Sequence, residues 1–134
     1  MSAQRVNPAS LYGGVPYDYA SVAPAGGIVF TAGACPLDAE GSVVAPDDFE
    51  AQARQTLDNL ELVLAEAGST LQDVLKTTVY VAAEERSELV RVFDVVEQRF
   101  GSARPPSTLL GVSLLGYPDQ LVEIEAIALR APEQ

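Results

Sequence analysis

The chain has 134 residues, the length of one domain, and its 48% hydrophobic and 20% charged residues are ordinary for a globular protein rather than a disordered or fibrous one. Its 19 acidic and 8 basic residues give a net charge of -11, which repels a nucleic-acid backbone and an anionic membrane alike. With no histidine and one cysteine, an internal disulfide, a cysteine-rich zinc site and histidine catalysis are excluded, so neither a metal nor another cofactor is predicted.

The amino-terminal part of the chain predicts an edge element followed by a β-hairpin. Residues 1–14 suit an irregular lead-in or a short edge strand. A strand over 15–22 and a β-rich run over 28–31 flank Gly26 and Gly27, and glycine pairs favour tight hairpin turns. We therefore expect these two strands to pair.

A long amphipathic helix follows a turn-rich acidic loop over 36–47. We expect the helix to begin at Asp47, with Glu50 as the partner in a capping box, and to end at Gly68. Its apolar residues recur every three or four positions, which places them on one face. That stripe consists of Phe49, Ala53, Leu57, Leu60, Leu64 and Ala67.

The second half of the chain predicts a strand, a helix and two further strands. β-Branched residues favour a strand over 75–81, and an apolar face favours a helix over about 87–100. Two apolar strands then cover Ser107–Leu115 and Leu121–Leu129, with a turn over 116–119 between them.

This order of elements predicts a single α+β domain over residues 1–134. Strands gathered into one mixed sheet, with both helices on one face, make a sandwich of two layers. The other face of the sheet is left uncovered, and an uncovered apolar face requires a partner. Association of identical chains through that face is one way to bury it.

Two carboxylates share a face of the last strand. Side chains alternate along a strand, so Glu123 and Glu125 project from one face while Val122, Ile124 and Ala126 project from the other. Most such pairs form the polar side of a sheet. Carboxylates are also proton-transfer groups, which makes this pair a candidate for catalysis in a protein without histidine.

Nothing in the chain indicates a membrane or a secreted environment. No apolar run approaches the roughly 20 residues of a spanning helix, and the amino terminus lacks a basic start followed by an apolar core. The single Cys35 is expected to be a small, buried and inert residue. The cytoplasm is therefore the expected compartment.

Five motifs, in order and spread over nearly the whole chain, resemble those of the RidA family, also called YjgF/YER057c/UK114. They are VPYDYA at 15–20, FTAG at 30–33, QARQTLDNL at 52–60, KTTVYV at 76–81 and VEIEAIALR at 122–130. The resemblance implies a chorismate-mutase-like α+β fold and a homotrimer with small-molecule clefts between subunits. It also implies hydrolysis of 2-imino and enamine acids, such as 2-aminoacrylate, to 2-keto acids and ammonia.

The resemblance also assigns roles to individual residues. Glu123 matches the glutamate that holds and activates the attacking water, and Tyr17 matches a tyrosine that lines the cleft. Gly33 and Leu109 match backbone positions close to the ligand. Phe93 matches a position near the rim of the cleft, although an aromatic residue on a helical stripe usually belongs to the core.

One family feature is missing from the sequence. Deaminating members carry an arginine, in a P-A-R-[ST] segment, that binds the substrate carboxylate through two parallel hydrogen bonds; here Ser107 takes its place. Ser107 and Thr108 can still bind a neutral carbonyl or amide group through their hydroxyls. Replacement cations would be Arg104, three residues upstream, or Arg5 or Arg91 of a neighbouring subunit.

Three functions from different classes remain open. The first is hydrolysis of an imine, an enamine or a related reactive metabolite, with the usual 2-imino acids in doubt because of Ser107. The second is binding of a small metabolite in the same clefts without catalysis. The third is an interaction or chaperone-like role for the acidic surface.

Overall fold

The computed structural model describes residues 4–15, 17–22 and 26–132. Within these ranges the chain forms two helices and one six-stranded sheet, in the order β1-β2-β3-β6-β4-β5. The strands are β1 Gln4–Val6, β2 Ala20–Val22, β3 Ile28–Thr31, β4 Val74–Val81, β5 Ser107–Gly111 and β6 Val122–Leu129. The helices are α1 Phe49–Glu66 and α2 Arg86–Phe100, and short 3₁₀ turns cover Leu71–Asp73 and Gly101–Ala103.

The sheet is mixed, as predicted, and β6 lies inside it. β6 pairs antiparallel with β3 on one side and with β4 on the other, and β4 pairs parallel with β5. β2 and β3 form the predicted antiparallel hairpin, with β1 at the edge. β5 and β6 follow each other in sequence, yet β4 lies between them in the sheet.

Both helices pack on the same face of the sheet. α1 lies on β6 and β3, and α2 lies on β4 and β5. The side chains of β6 that face the helices are fully or almost fully buried: Val122, Ile124, Ala126 and Ala128. All six residues of the predicted stripe on α1 are buried with them. The predicted two-layer α+β class is therefore confirmed. None of the helices in the described ranges is long and apolar enough to cross a lipid bilayer.

None of the described elements covers the opposite face of the sheet. It exposes large apolar side chains from three strands: Ile28 and Phe30 from β3, Leu110 from β5 and Leu129 from β6. Phe30 is 52% exposed, which is unusual for a residue in the middle of a sheet. The sequence predicts an uncovered face, and the structure shows that this face exposes several large apolar side chains. Contiguous apolar patches commonly mark association surfaces.

The start of the first helix differs from the prediction. α1 begins at Phe49, because Asp48 and not Asp47 caps it; the Asp48 carboxylate accepts a hydrogen bond from the Ala51 N–H at 2.9 Å. Asp47 has a φ of 68°, which is incompatible with a helix. Glu50 consequently makes no capping box with Asp47.

The strand predicted over Ser107–Leu115 ends four residues earlier, at Gly111. β5 has only β4 as a neighbour, and Gly111 pairs with Val81, the last residue of β4. Beyond that point the chain has no strand to pair with. The strand predicted over 15–22 likewise shortens to β2, opposite the three residues of β1, and Pro16 within that range lies outside the described residues.

Gln52 connects α1 to the turn before β6 and is completely buried. Its side-chain Nε2 donates to the carbonyl oxygens of Asp119, at 2.9 Å, and Ala45, at 3.3 Å. Its Oε1 accepts from the Leu121 N–H at 2.8 Å. One buried amide therefore satisfies backbone groups on both sides of the turn that leads into β6.

Replacing Gln52 with Leu keeps the volume of the side chain but leaves these buried backbone groups unpaired. We expect Gln52→Leu to lower the free energy of unfolding by about 2 to 4 kcal/mol. Gln98→Leu, on the exposed side of α2, is the matched control and should change it by less than about 0.5 kcal/mol. Urea unfolding at one protein concentration measures both, and equal effects would contradict this role of Gln52.

Candidate functional site

A cavity of about 460 Å³ lies beside the first residues of β6. The segment that follows β3 forms one wall, because Ala34 exchanges two backbone hydrogen bonds with Ile124, at 2.7 and 3.1 Å. The turn before β6 and the loop before β2 form the others. The lining residues are Tyr17, Ala32, Gly33, Cys35, Gly116, Tyr117 and Glu123. Three residues predicted from the sequence, Tyr17, Gly33 and Glu123, therefore lie together.

The Glu123 carboxylate is held by one of its two oxygens. Oε1 accepts a hydrogen bond from Gln120 Nε2 at 3.1 Å and another from Cys35 Sγ at 3.3 Å. Oε2 accepts none from the described part of the chain, and it lies against the Cα of Gly33. A Cβ at position 33 would collide with Oε2. Glycine is therefore the residue that allows the carboxylate to lie flat against the wall of the cavity.

Two of the residues that line the cavity are tyrosines whose hydroxyl groups contact each other. The hydroxyls of Tyr17 and Tyr117 share a hydrogen bond of 3.1 Å, and the ring of Tyr17 packs edge-on against Tyr19, with 5.8 Å between ring centroids. Burial, followed by the hydrogen bond to Tyr117, raises the pKa of Tyr17 well above its ordinary value. Burial also raises the pKa of Tyr19 to about 12. At neutral pH the phenols of Tyr17 and Tyr19 are therefore protonated, and Tyr19 donates to the Tyr12 carbonyl oxygen at 2.7 Å.

Cys35 is buried, as predicted, but it also contacts the carboxylate. Burial, followed by the negative charge of Glu123 and the hydrogen bond to it, raises the pKa of the Cys35 thiol to about 12. The thiol is therefore protonated at neutral pH, which suits it to donate to Glu123 rather than to act as a nucleophile.

The cavity contains one carboxylate and two phenols, and no cationic side chain is among its lining residues in the described part of the chain. No group of three or more Cys, Asp or Glu side chains in residues 4–15, 17–22 and 26–132 is arranged to hold a metal ion. The local electrostatics therefore favour a neutral or positively charged ligand over an anionic one.

The other predicted binding residues, Ser107, Thr108 and Leu109, lie on β5 and not in this cavity. Ser107 Oγ accepts a hydrogen bond from Thr77 Oγ1 at 2.7 Å, on the helix side of the sheet. Thr108 projects to the opposite face, where its hydroxyl accepts from Lys76 Nζ at 2.5 Å. Leu109 packs against the core.

The register of the sheet gives the distance between Ser107 and Glu123. Glu123 lies opposite Tyr80 on β4, whereas Ser107 lies opposite Thr77, three residues along the same strand. The offset is about 10 Å along the strands and about 10 Å across two strand spacings. A single copy of the chain does not bring Ser107 next to Glu123.

Ser107 instead lines a second cavity, of about 230 Å³, between α2 and the edge of the sheet. Arg104 and Glu97 provide its charged groups, and Phe93 and Phe100 lie among its apolar ones. Arg104 makes no ion pair or side-chain hydrogen bond with the described residues. Of the three arginines considered from the sequence as replacement cations, Arg104 is the one that lines the same cavity as Ser107.

The other two arginines considered as replacements are already paired within the chain. Arg5 lies 3.5 Å from an Asp18 carboxylate oxygen. Arg91 makes two hydrogen bonds to the Glu50 carboxylate, at 2.7 and 3.1 Å, and stacks over Phe49. Using either arginine for a ligand would require breaking these contacts.

Sequence reasoning did not identify Cys35, Gln120 or Tyr117 as site residues. Cys35 contacts Glu123 across 88 positions of the chain, and no local pattern signals such a contact. Gln120 precedes Glu123 by only three residues, so a signal was present in the polar turn before a strand that carries a candidate catalytic carboxylate.

The sequence also matches a family model, described as Endoribonuclease L-PSP, over residues 13–130. This chain belongs to that family, the RidA family. The family assignment made from the five sequence motifs is confirmed. The matched range, residues 13–130, includes all the segments that form the cavity around Glu123.

Relatives from several organisms are similar to this chain over most of their length. The 2-iminobutanoate/2-iminopropanoate deaminase of Salmonella typhimurium is 35% identical over 108 residues, which cover 78% of this chain and 81% of the relative. The 3-aminoacrylate deaminase RutC of Acinetobacter baylyi is 31% identical over 110 residues, covering 82% and 85%. A YjgF/YER057c/UK114 family structure from Mycobacterium tuberculosis superimposes with a TM-score of 0.74 at 32% identity, covering 96% and 99%.

The contact between Gly33 and Glu123 gives a direct test of this geometry. Gly33→Ala should displace the Glu123 carboxylate, because the new methyl group takes the space of Oε2, while the backbone at position 33 needs no left-handed conformation. We expect the change in the free energy of unfolding to stay below about 1 kcal/mol, since the displaced group is the end of a flexible side chain. A crystal structure of the variant should show a new Glu123 rotamer, and an unmoved carboxylate would contradict the close contact.

Proposed function

We propose that the protein hydrolyses a small imine or enamine, with Glu123 as the group that orients and deprotonates the attacking water. The observation that carries this proposal is the Glu123 carboxylate itself, which lines a cavity of ligand size, is held through Oε1 and has no hydrogen-bond partner for Oε2 among the described residues. The relatives named as deaminases of imine and enamine acids support the same reaction class.

The reaction requires one base that later becomes an acid. Water adds to the imine carbon, the π electrons of the C=N bond move to nitrogen, and the water proton passes to Glu123 Oε2. Glu123 first returns that proton to nitrogen, which gives the neutral carbinolamine. It then takes the hydroxyl proton and passes it to nitrogen, so that the C–N bond breaks as the C=O bond forms and ammonia or an amine leaves. An enamine enters the same sequence after protonation at carbon.

The two cavities suggest how a complete cleft is assembled. We propose a homotrimer in which the Glu123 cavity of one subunit is closed by β5 of the next, bringing Ser107, Thr108 and Leu109 to the ligand. Two features support this arrangement: β5 is an edge strand with a single neighbour, and the uncovered face of the sheet exposes several large apolar side chains.

The charges of both cavities favour a substrate without a carboxylate. The cavity of Glu123 has no cationic lining residue among those described, and the family arginine is replaced by Ser107. Arg104 is the remaining candidate near Ser107, but it shares its cavity with the carboxylate of Glu97. We therefore propose that imines of simple amines are better substrates than 2-imino acids.

Imines generated in place by an oxidase test this function. An amino-acid oxidase supplies 2-imino acids and a flavin-dependent amine oxidase supplies imines without a carboxylate; carbonyl formation above the spontaneous rate is followed for each. We expect wild type to accelerate hydrolysis of the amine-derived imine, and Glu123→Gln to reduce that rate at least about 100-fold. Glu125→Gln is the matched control, because Glu125 lies on the same face of β6 but is hydrogen-bonded to Tyr80.

Ser107→Arg tests the substrate preference separately. Restoring the guanidinium should raise the rate with 2-imino acids about tenfold or more, through two charge-assisted hydrogen bonds to the carboxylate. Wild type that prefers 2-imino acids would overturn the preference while leaving hydrolysis intact. Inactivity of both wild type and Ser107→Arg on both imines would contradict the proposed function and favour metabolite binding without catalysis.

A further inference from the structure

We propose that Gln120 and Cys35 are positioning residues for this reaction: together they bind Oε1 of Glu123 and so make Oε2 the oxygen that exchanges a proton with water and substrate. The inference rests on the proposed function for its role in catalysis. Its structural part, the fixed carboxylate, can be tested without any turnover.

The contacts of Gln120 fix the direction of its amide. Gln120 is only 4% exposed; its Nε2 donates to the Val122 carbonyl at 3.0 Å and to Glu123 Oε1 at 3.1 Å. Its own Oε1 accepts from the Tyr117 N–H at 3.1 Å. A reversed amide would place oxygen against two acceptors and nitrogen against a donor, so only one orientation satisfies all three contacts.

Cys35 contacts the same oxygen. Its Sγ lies 3.3 Å from Glu123 Oε1 and 3.4 Å from the Gly33 carbonyl oxygen, both of which can accept the thiol proton. The backbone at Cys35 is itself held, because the buried side chain of Asn59 on α1 donates to the Cys35 carbonyl at 2.9 Å. The position of the thiol therefore depends on the core and not on a mobile loop.

Two donors on Oε1 determine where a proton can bind. A proton on Oε1 would face the Gln120 amide and the Cys35 thiol and displace at least one of these hydrogen bonds, whereas Oε2 is free of them. The proton taken from water accordingly resides on Oε2, from which it can return to the leaving nitrogen. Among the described residues, the titratable groups that face Glu123 are Tyr17, Tyr117 and Cys35 in the cavity, Tyr80 on β4 and Glu125 on the same face of β6, and none of these is cationic.

Gln120→Glu tests this assignment with the least change in shape. The new side chain keeps an oxygen for the Tyr117 N–H but places a second carboxylate beside Oε1, and adjacent carboxylates share a proton. We expect the acidic limb of the pH–rate profile to move up by about one pH unit or more, with kcat at neutral pH lowered about tenfold and KM changed less than about twofold. Gln98→Glu adds the same charge on the exposed side of α2 and should change neither the pH–rate profile nor kcat.

Cys35→Ala and Cys35→Ser separate hydrogen bonding from packing. Loss of the donor in Cys35→Ala should lower kcat about fivefold to tenfold, and the hydroxyl of Cys35→Ser should recover at least half of that loss on a logarithmic scale. A role in packing alone predicts no recovery by serine, since serine is polar and smaller than cysteine.

A titration that requires no catalysis completes the test. The carboxyl carbon of ¹³C-labelled Glu123 is followed by NMR against pH in wild type, Gln120→Glu and Cys35→Ala, and the midpoint should move upward in both folded variants. Unchanged midpoints together with kcat within about twofold of wild type would overturn the inference. If wild type hydrolyses no imine, the proposed function fails on its own, and the midpoints still decide whether these two side chains hold the carboxylate.

Discussion

The antiparallel pairing of β6 with β4 is the constraint on which the site depends. Glu123 lies opposite Tyr80 and its neighbour Ile124 lies opposite Val79, so the residues of β6 that alternate with the carboxylates are buried under α1. A shift of the register of β6 by one residue would bury both carboxylates and expose the apolar residues. The free-energy cost of burying two charges and losing the apolar core prevents this shift. The place of Glu123 on the uncovered face is therefore a consequence of how the core is packed.

The two oxygens of the Glu123 carboxylate have different surroundings. Hydrogen bonds from a buried amide and a buried thiol hold one oxygen, and a glycine without a side chain makes room for the other. The hydroxyls of Tyr17 and Tyr117 share a hydrogen bond in the same cavity. A preorganised base beside hydrogen-bond donors fits addition of water to an electrophilic carbon. None of the described residues that line the cavity supplies the cation that a substrate carboxylate would require.

Regular periodicity made most of the fold predictable from the sequence. The apolar stripe of α1 and the alternation along β6 both appear in the structure, because burial imposes these periods directly. Contacts between distant segments were not predictable: β4 lies between β5 and β6, and Cys35 meets Glu123, with no local signal for either. Of the predicted ligand set, Tyr17, Gly33 and Glu123 line one cavity and Ser107 lines another, whereas Thr108 and Leu109 line neither. No local pattern in the sequence reports this separation.

Sedimentation equilibrium of the wild type and of Phe30→Glu tests most directly whether the uncovered face joins copies of the chain. At micromolar concentration the wild type should have three times the 14.2 kDa mass of the chain, because association buries Phe30 and its apolar neighbours. A charge at position 30 should dissociate the assembly. A wild type that sediments as a single chain would contradict the account, since the cavity of Glu123 would then have no second copy to close it.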